Sequence, residues 1–261
     1  MLTETASAQV ATLSPADGLS RLFATDPEYA EIFSNFAFDD VAEHVSLPAP
    51  LRMEVLLAVL LGAQCLTVFR DTVRTALSAG VSAVQVKEII YHASSYLGMA
   101  RVADFINAAN DIFTEQHIPL PLPAQGVTTR ENRLEKGLAL KKGIFKVLIT
   151  RAHNATPADQ MHFQNLLTGL CFGDLYTRSG LTLKERQLMT FAVLIGMGDC
   201  VKQLREHIEG NFNLGNDRAV LLGALTQCVP YIGFPRAFNT LRCINEVQAE
   251  LKNREQDSGR A

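Results

Sequence analysis

The chain of 261 residues contains no tryptophan, and none of its five cysteines stands in a CxxC pair. Cys65, Cys171, Cys200, Cys228 and Cys243 are odd in number and widely spaced, which argues against a disulfide framework and a cysteine-based zinc site. Cys171, Cys228 and Cys243 read as small buried hydrophobes. Long apolar runs are missing too: the longest stretch, Val55 to Ala63, is about half of the roughly 20 residues a membrane span needs. There is no excess of positive charge. A formal net charge of −3 gives no electrostatic reason to expect nucleic acid or an anionic membrane as partner. The start lacks a basic segment followed by an apolar one, so no secretory signal is expected and the protein reads as cytoplasmic. His44, His92, His117, His153 and His162 show no metal-ligand spacing, and neither a metal nor another cofactor is expected. Strand signals are absent as well, because no stretch alternates apolar and polar residues between turn pairs.

What is present is apolar surface and a repeat. Hydrophobic residues make up 48% of the chain against 20% charged, enough to build a sizeable core. Cys65, Gly80, Tyr96, Gly98 and Arg101 recur as Cys200, Gly215, Tyr231, Gly233 and Arg236, each at an offset of 135 residues. Two related helical units therefore lie in tandem, at residues 19–118 and 130–252. Pro119, Pro121 and Pro123 cannot continue a helix and mark an extended linker between them. Residues 1 to about 18 and the charged tail from Asn253 are expected to be disordered and frayed. Apolar residues in Val55 to Leu61 and Leu188 to Ile195 are too continuous for a surface helix, so each unit needs one helix buried on most sides. Ser82 with Gln85 and Thr182 with Glu185 have the spacing of capping boxes. Gly80 and Gly215 stand where a left-handed cap ends a helix, and Pro235 suits the first turn of a last helix reaching about Leu251.

Chemistry concentrates after Asp199. Cys200, Gln203 and His207 are spaced i, i+3 and i+7, at about 0°, 300° and 340° around a helix, so their side chains line one pocket. Asp199 is placed to cap this helix, which puts Cys200 in a first turn whose dipole favours the thiolate while the Asp199 carboxylate opposes it. The first unit has Thr72 where the second has His207, which predicts one functional pocket per chain.

The stretch from Gly173 through Arg178, Ser179, Gly180, Leu181 and Arg186, the apolar helix, His207, Gly215 and Tyr231-Ile232-Gly233-Phe234-Pro235 resembles the carboxymuconolactone decarboxylase family. The family's entry tryptophans are missing, and Leu214 precedes Gly215 where the family has Asn. The first unit keeps Gly80 and Tyr96-Leu97-Gly98 but has Ala100 in place of Pro, as a diverged copy would. The related alkylhydroperoxidase D motif, E-x11-C-x2-C-x3-H, places Cys200 and His207 at its first Cys and its His. Gln203 replaces its second Cys and Leu188 its Glu, while the first unit offers Cys65, Val68 and Thr72. The resemblance implies an all-α fold of two tandem alkylhydroperoxidase D-like bundles related by a pseudo-two-fold.

Decarboxylation next to a carbonyl or conjugated lactone leaves an enolate, so it asks for a cation to hold the acid, donors for the oxyanion and a proton carrier. His207 is the natural carrier, with a reference pKa near 6.5. Arg178 and Arg186 match motif positions and are the candidate substrate clamps, with Gln203 beside them; Arg205 points away as a surface or subunit-interface residue. A peroxidase centred on Cys200 would need an external thiol, since Gln203 cannot resolve a sulfenic acid. Three functions stay open: a carbon–carbon lyase acting on a small carboxylated acid, a Cys200 peroxidase, and a non-catalytic helical scaffold. The partner is a small-molecule substrate, and the family implies a homo-oligomer, a homotrimer forming a pseudo-hexamer.

Overall fold

The computed structural model describes residues 1–10, 18–146 and 156–258, and every regular element among them is helical. The sequence expectations that fall on residues 11–17, His153 and Gly259 lie outside the described residues. The first half comprises α1 (Glu4–Val10), α2 (Gly18–Thr25), α3 (Pro27–Asn35) running into a π-helical turn at Phe36–Asp40, α4 (Ala49–Gly62), α5 (Leu66–Ser78), α6 (Ala83–Leu97) and α7 (Met99–Glu115). After a helix-free stretch through the prolines follow α8 (Arg133–Phe145), α9 (Met161–Leu167) running into a second π-helix at Thr168–Leu175, α10 (Leu183–Met197), α11 (Val201–Asn213), α12 (Arg218–Ile232) and α13 (Phe234–Ser258). No helix among them is long and apolar enough to cross a membrane.

Local chemistry sets these boundaries. Both capping boxes form: Ser82 accepts from the Gln85 amide at the start of α6, and Thr182 from the Glu185 amide at the start of α10. The ends are more ordered than composition suggests. Residues 4–10 are helical, tied to α3 by the Thr3 amide donating to Asn35 Oδ1 at 2.9 Å. The last helix runs to Ser258 instead of fraying from Asn253, because ion pairs join it to α11: Arg254 meets Glu209 at 2.8 Å, and Arg205 meets Glu246 and Glu250.

The halves are related as the repeat requires. The two π-helices overlap at the offset of 135, and so do the left-handed residues Gln64 (φ 56°) and Asp199 (φ 49°) that precede α5 and α11. α4 packs on α10 at the centre; α4 also packs on α12, and α10 on α6, as a pseudo-two-fold demands. Val55 to Leu61 and Leu188 to Ile195 are buried, and one apolar core spans both units, beside a smaller cluster of Ile144, Phe145, Cys171, Phe172 and Tyr176. The crossing is close. A Cβ on Gly62 would stand 2.2 Å from the Val193 carbonyl oxygen, and one on Gly196 2.4 Å from that of Val59.

Candidate functional site

Along one face of α6, Glu88, His92 and Tyr96 recur every four residues, and each meets a polar side chain of the second unit. At one end Glu88, 1% exposed, takes Arg178 Nε and Nη2 at 2.8–3.0 Å and Arg186 Nη2 at 2.8 Å. One turn on, His92 Nε2 lies 2.7 Å from Thr190 Oγ1. Thr190 Oγ1 is a junction: it donates to the Arg186 carbonyl at 3.0 Å and lies 2.8 Å from Tyr176 Oη and 3.2 Å from Tyr96 Oη. Tyr176 Oη donates to Gln187 Oε1 at 2.8 Å, and Gln187 Nε2 reaches His207 Nδ1 at 2.8 Å. The whole set is a buried polar ladder across the interface of the two units, ending on His207.

Since an amide NH2 only donates, His207 Nδ1 accepts, and its proton sits on Nε2. The ring is 7% exposed, edge-on to Tyr96 and Phe145 with centroids 5.7 and 5.3 Å away. Burial pushes its pKa down to about 3, so the imidazole is neutral at physiological pH. His92 is driven well below its ordinary value, first by burial and then by the charge of Arg186. Gln187 approaches so closely because residue 210 is glycine: a Cβ there would sit 2.2 Å from Gln187 Nε2. Asn211 braces the arrangement, donating to the carbonyls of His207 at 2.8 Å and Gln187 at 3.0 Å.

The other sequence-nominated residues fall in different places. Arg178 and Arg186 meet on Glu88, an internal carboxylate, with Arg178 Nη1 outside the pair. Arg186 is fully buried, pairs with neither Glu185 nor Asp174, and leaves Nε and Nη1 without a partner. Gln203 is exposed. Cys200 is half-buried and is itself the N-cap of α11; its thiol donates to the Leu194 carbonyl at 3.4 Å. Burial first, and then the Asp199 carboxylate, push the Cys200 thiol up, away from the thiolate that a helix dipole favours. Cys171 is buried as expected but adjoins the ladder, with Sγ 4.0 Å from Tyr96 Oη and its pKa pushed up to about 11 by burial.

The i, i+3, i+7 face does line a pocket in the first unit. Cys65, Val68 and Thr72 border a 460 Å³ cavity with Phe33, Phe38 and Tyr231. Tyr231 is the counterpart of Tyr96, so each tyrosine reaches from one unit toward the face of the other and is more than a turn residue.

Sequence reasoning did not single out His92, Tyr96, Tyr176, Gln187 and Thr190, the members of the ladder. A signal existed for two: Gln187 and Thr190 are polar interruptions of an otherwise apolar buried helix.

The profile of the carboxymuconolactone decarboxylase family matches the chain twice, at residues 27–111 and 162–246. The matches are themselves 135 residues apart, in step with the structural repeat. The 4-carboxymuconolactone decarboxylase of Acinetobacter baylyi (strain ATCC 33305 / BD413 / ADP1) is 28% identical over 123 residues, 46% of this chain and 90% of that protein.

Proposed function

The chain belongs to the carboxymuconolactone decarboxylase family, with one family segment in each half, and from that footing we propose that it is a carbon–carbon lyase releasing CO2 from a small carboxylated acid, a lactone or an aromatic-derived acid, at His207. The observation that carries this reading is the Gln187–His207 contact, which leaves a neutral imidazole with its Nε2–H as the hydrogen-bond donor. In the reaction the bond from carbon to the carboxylate breaks and its electron pair moves onto the conjugated carbonyl oxygen. Nε2–H hydrogen-bonds that oxyanion as charge develops, and water returns the proton to carbon. A neutral donor suits an enolate, because it stabilises charge without first having to be protonated. Among Glu88, Arg178 and Arg186 two cations meet one carboxylate, so a net positive charge remains at the far end of the ladder.

A Cys200 peroxidase is disfavoured by the upward shift of its thiol and by the exposed Gln203 at the place of a resolving cysteine. The test is CO2 release from a panel of carboxylated lactones and β-keto acids, run beside hydroperoxide consumption with several thiol donors. Lyase activity without peroxide turnover is expected; thiol-dependent peroxide turnover without CO2 release would overturn the proposal.

A further inference from the structure

A recess of 580 Å³ lies at the opposite end of the ladder from His207, roofed by residues 120–125 of the proline-rich linker. Its volume is within the range of roughly 300–1,000 Å³ usual for small-molecule sites. Two cations line it, Lys87 from α6 and Arg178 from the second unit, together with the Tyr91 ring and the apolar side chains of Val84, Ile106 and Leu122. Glu88 is the one carboxylate in the lining, and both Arg178 and Arg186 already occupy it.

Lys87 is the informative group. The residue is 5% exposed and lines the recess, and among the described residues its ammonium has no hydrogen-bond or ion-pair partner. Its contacts are with ring faces, Tyr91 at 5.7 Å and Phe113 at 6.0 Å from the centroids. Such contacts at this range are weak, so a cation that faces the recess without a counter-charge favours an anion there. Arg178 presents its guanidinium to the same Tyr91 ring, at 5.4 Å.

We propose that this recess binds a planar, ring-sized carboxylate, its acid group between Lys87 and Arg178 and its ring against Tyr91 and the linker. The surplus of positive charge selects the carboxylate, and the apolar walls and the tyrosine face select a flat body over a small inorganic anion. The site is distinct from His207, and its test reads binding, so it stands or falls apart from CO2 release.

Benzoate, its neutral counterpart benzamide and inorganic phosphate serve as probes in calorimetric titration of the full chain. Benzoate is expected to bind saturably, benzamide and phosphate at least about tenfold more weakly, and Lys87→Met to weaken benzoate by about ten- to a hundredfold, the range for a hydrogen bond to a charged group. Lys87→Arg, which keeps the charge, is expected to retain most of the affinity. In the unmodified protein, nuclear Overhauser contacts from the benzoate ring to Tyr91 and Leu122 locate the site without any substitution. Equal binding of benzoate and benzamide, equal binding of phosphate, no saturable benzoate binding, or contacts to Tyr231 or His207 in place of Tyr91 would each overturn the proposal.

Discussion

Two buried groups of this protein are shifted in opposite senses. Glu54 on α4 is raised to about 7, by burial first and then by the Glu185 carboxylate, against the Gln85 amide donating to it at 2.7 Å. The native state thus keeps a proton that the unfolded chain releases from about pH 4.5 upward, and stability falls as pH rises through that window to about 7, by about 3 kcal/mol in all. His207 works the other way. Its folded value of about 3 lies below the ordinary value of 6.5, so stability is lost as pH falls below 6.5, and His92 adds in the same direction. Between pH 4.5 and 6.5 the two slopes oppose each other. Removing the carboxyl unmasks the histidines: for Glu54→Gln, urea unfolding is expected to show stability climbing steadily with pH across that window, with a gain over the parent protein above pH 7. A variant whose pH profile matches the parent's would contradict the assignment.

At this scale the sequence was only partly legible. His207 stood out because its repeat counterpart is Thr72, but its partners lie 20 residues away and in the other unit, where helical spacing has no reach. Arg178 and Arg186 were visible as cations in motif positions; that both end on Glu88, 90 and 98 residues earlier in the chain, is a tertiary fact.

Among the elements, α4 and α10 carry the fold. Their near-continuous apolar sequences foretold burial on most sides, and their mutual packing supplies it. The close crossing depends on two residues without side chains, since Gly62 faces Val193 and Gly196 faces Val59, backbone to backbone. Gly196→Ala introduces a methyl group where a carbonyl oxygen already stands. It is expected to lower stability by about 1–3 kcal/mol, the usual cost of overpacking a core, or more if the helices are forced apart. Thermal unfolding monitored by circular dichroism checks this; an unchanged midpoint would mean that the crossing is looser than described. Neither glycine belonged to the sequence repeat, and no helix-propensity rule finds them, because their purpose appears only when two helices meet. The capping boxes, by contrast, were readable at once, being purely local.

For the molecule as a whole, the duplication explains where the polar ladder lies. Covalent pairing of two family segments places α6 of one against α10 of the other, so the first unit's Tyr96 meets His207 and its His92 meets Thr190. The first unit's own version of the site retains a cavity but has Thr72 in place of the imidazole. The fold class was legible because a repeat, caps and apolar runs all agreed. The chemistry was less so, because charge state depends on burial, which lowers the His207 pKa and raises that of the Cys200 thiol.

The central claim is that His207 Nε2–H stabilises the charge formed as CO2 leaves, and the most direct measurement is steady-state CO2 release by His207→Gln beside the parent protein on a carboxylated lactone. Loss of one preorganised oxyanion donor predicts a fall in kcat of about 10² to 10³ with KM changed far less. The parent's kcat is expected to show no break near pH 6.5, since the imidazole does not titrate there. A His207→Gln protein that releases CO2 as fast as its parent would contradict the account.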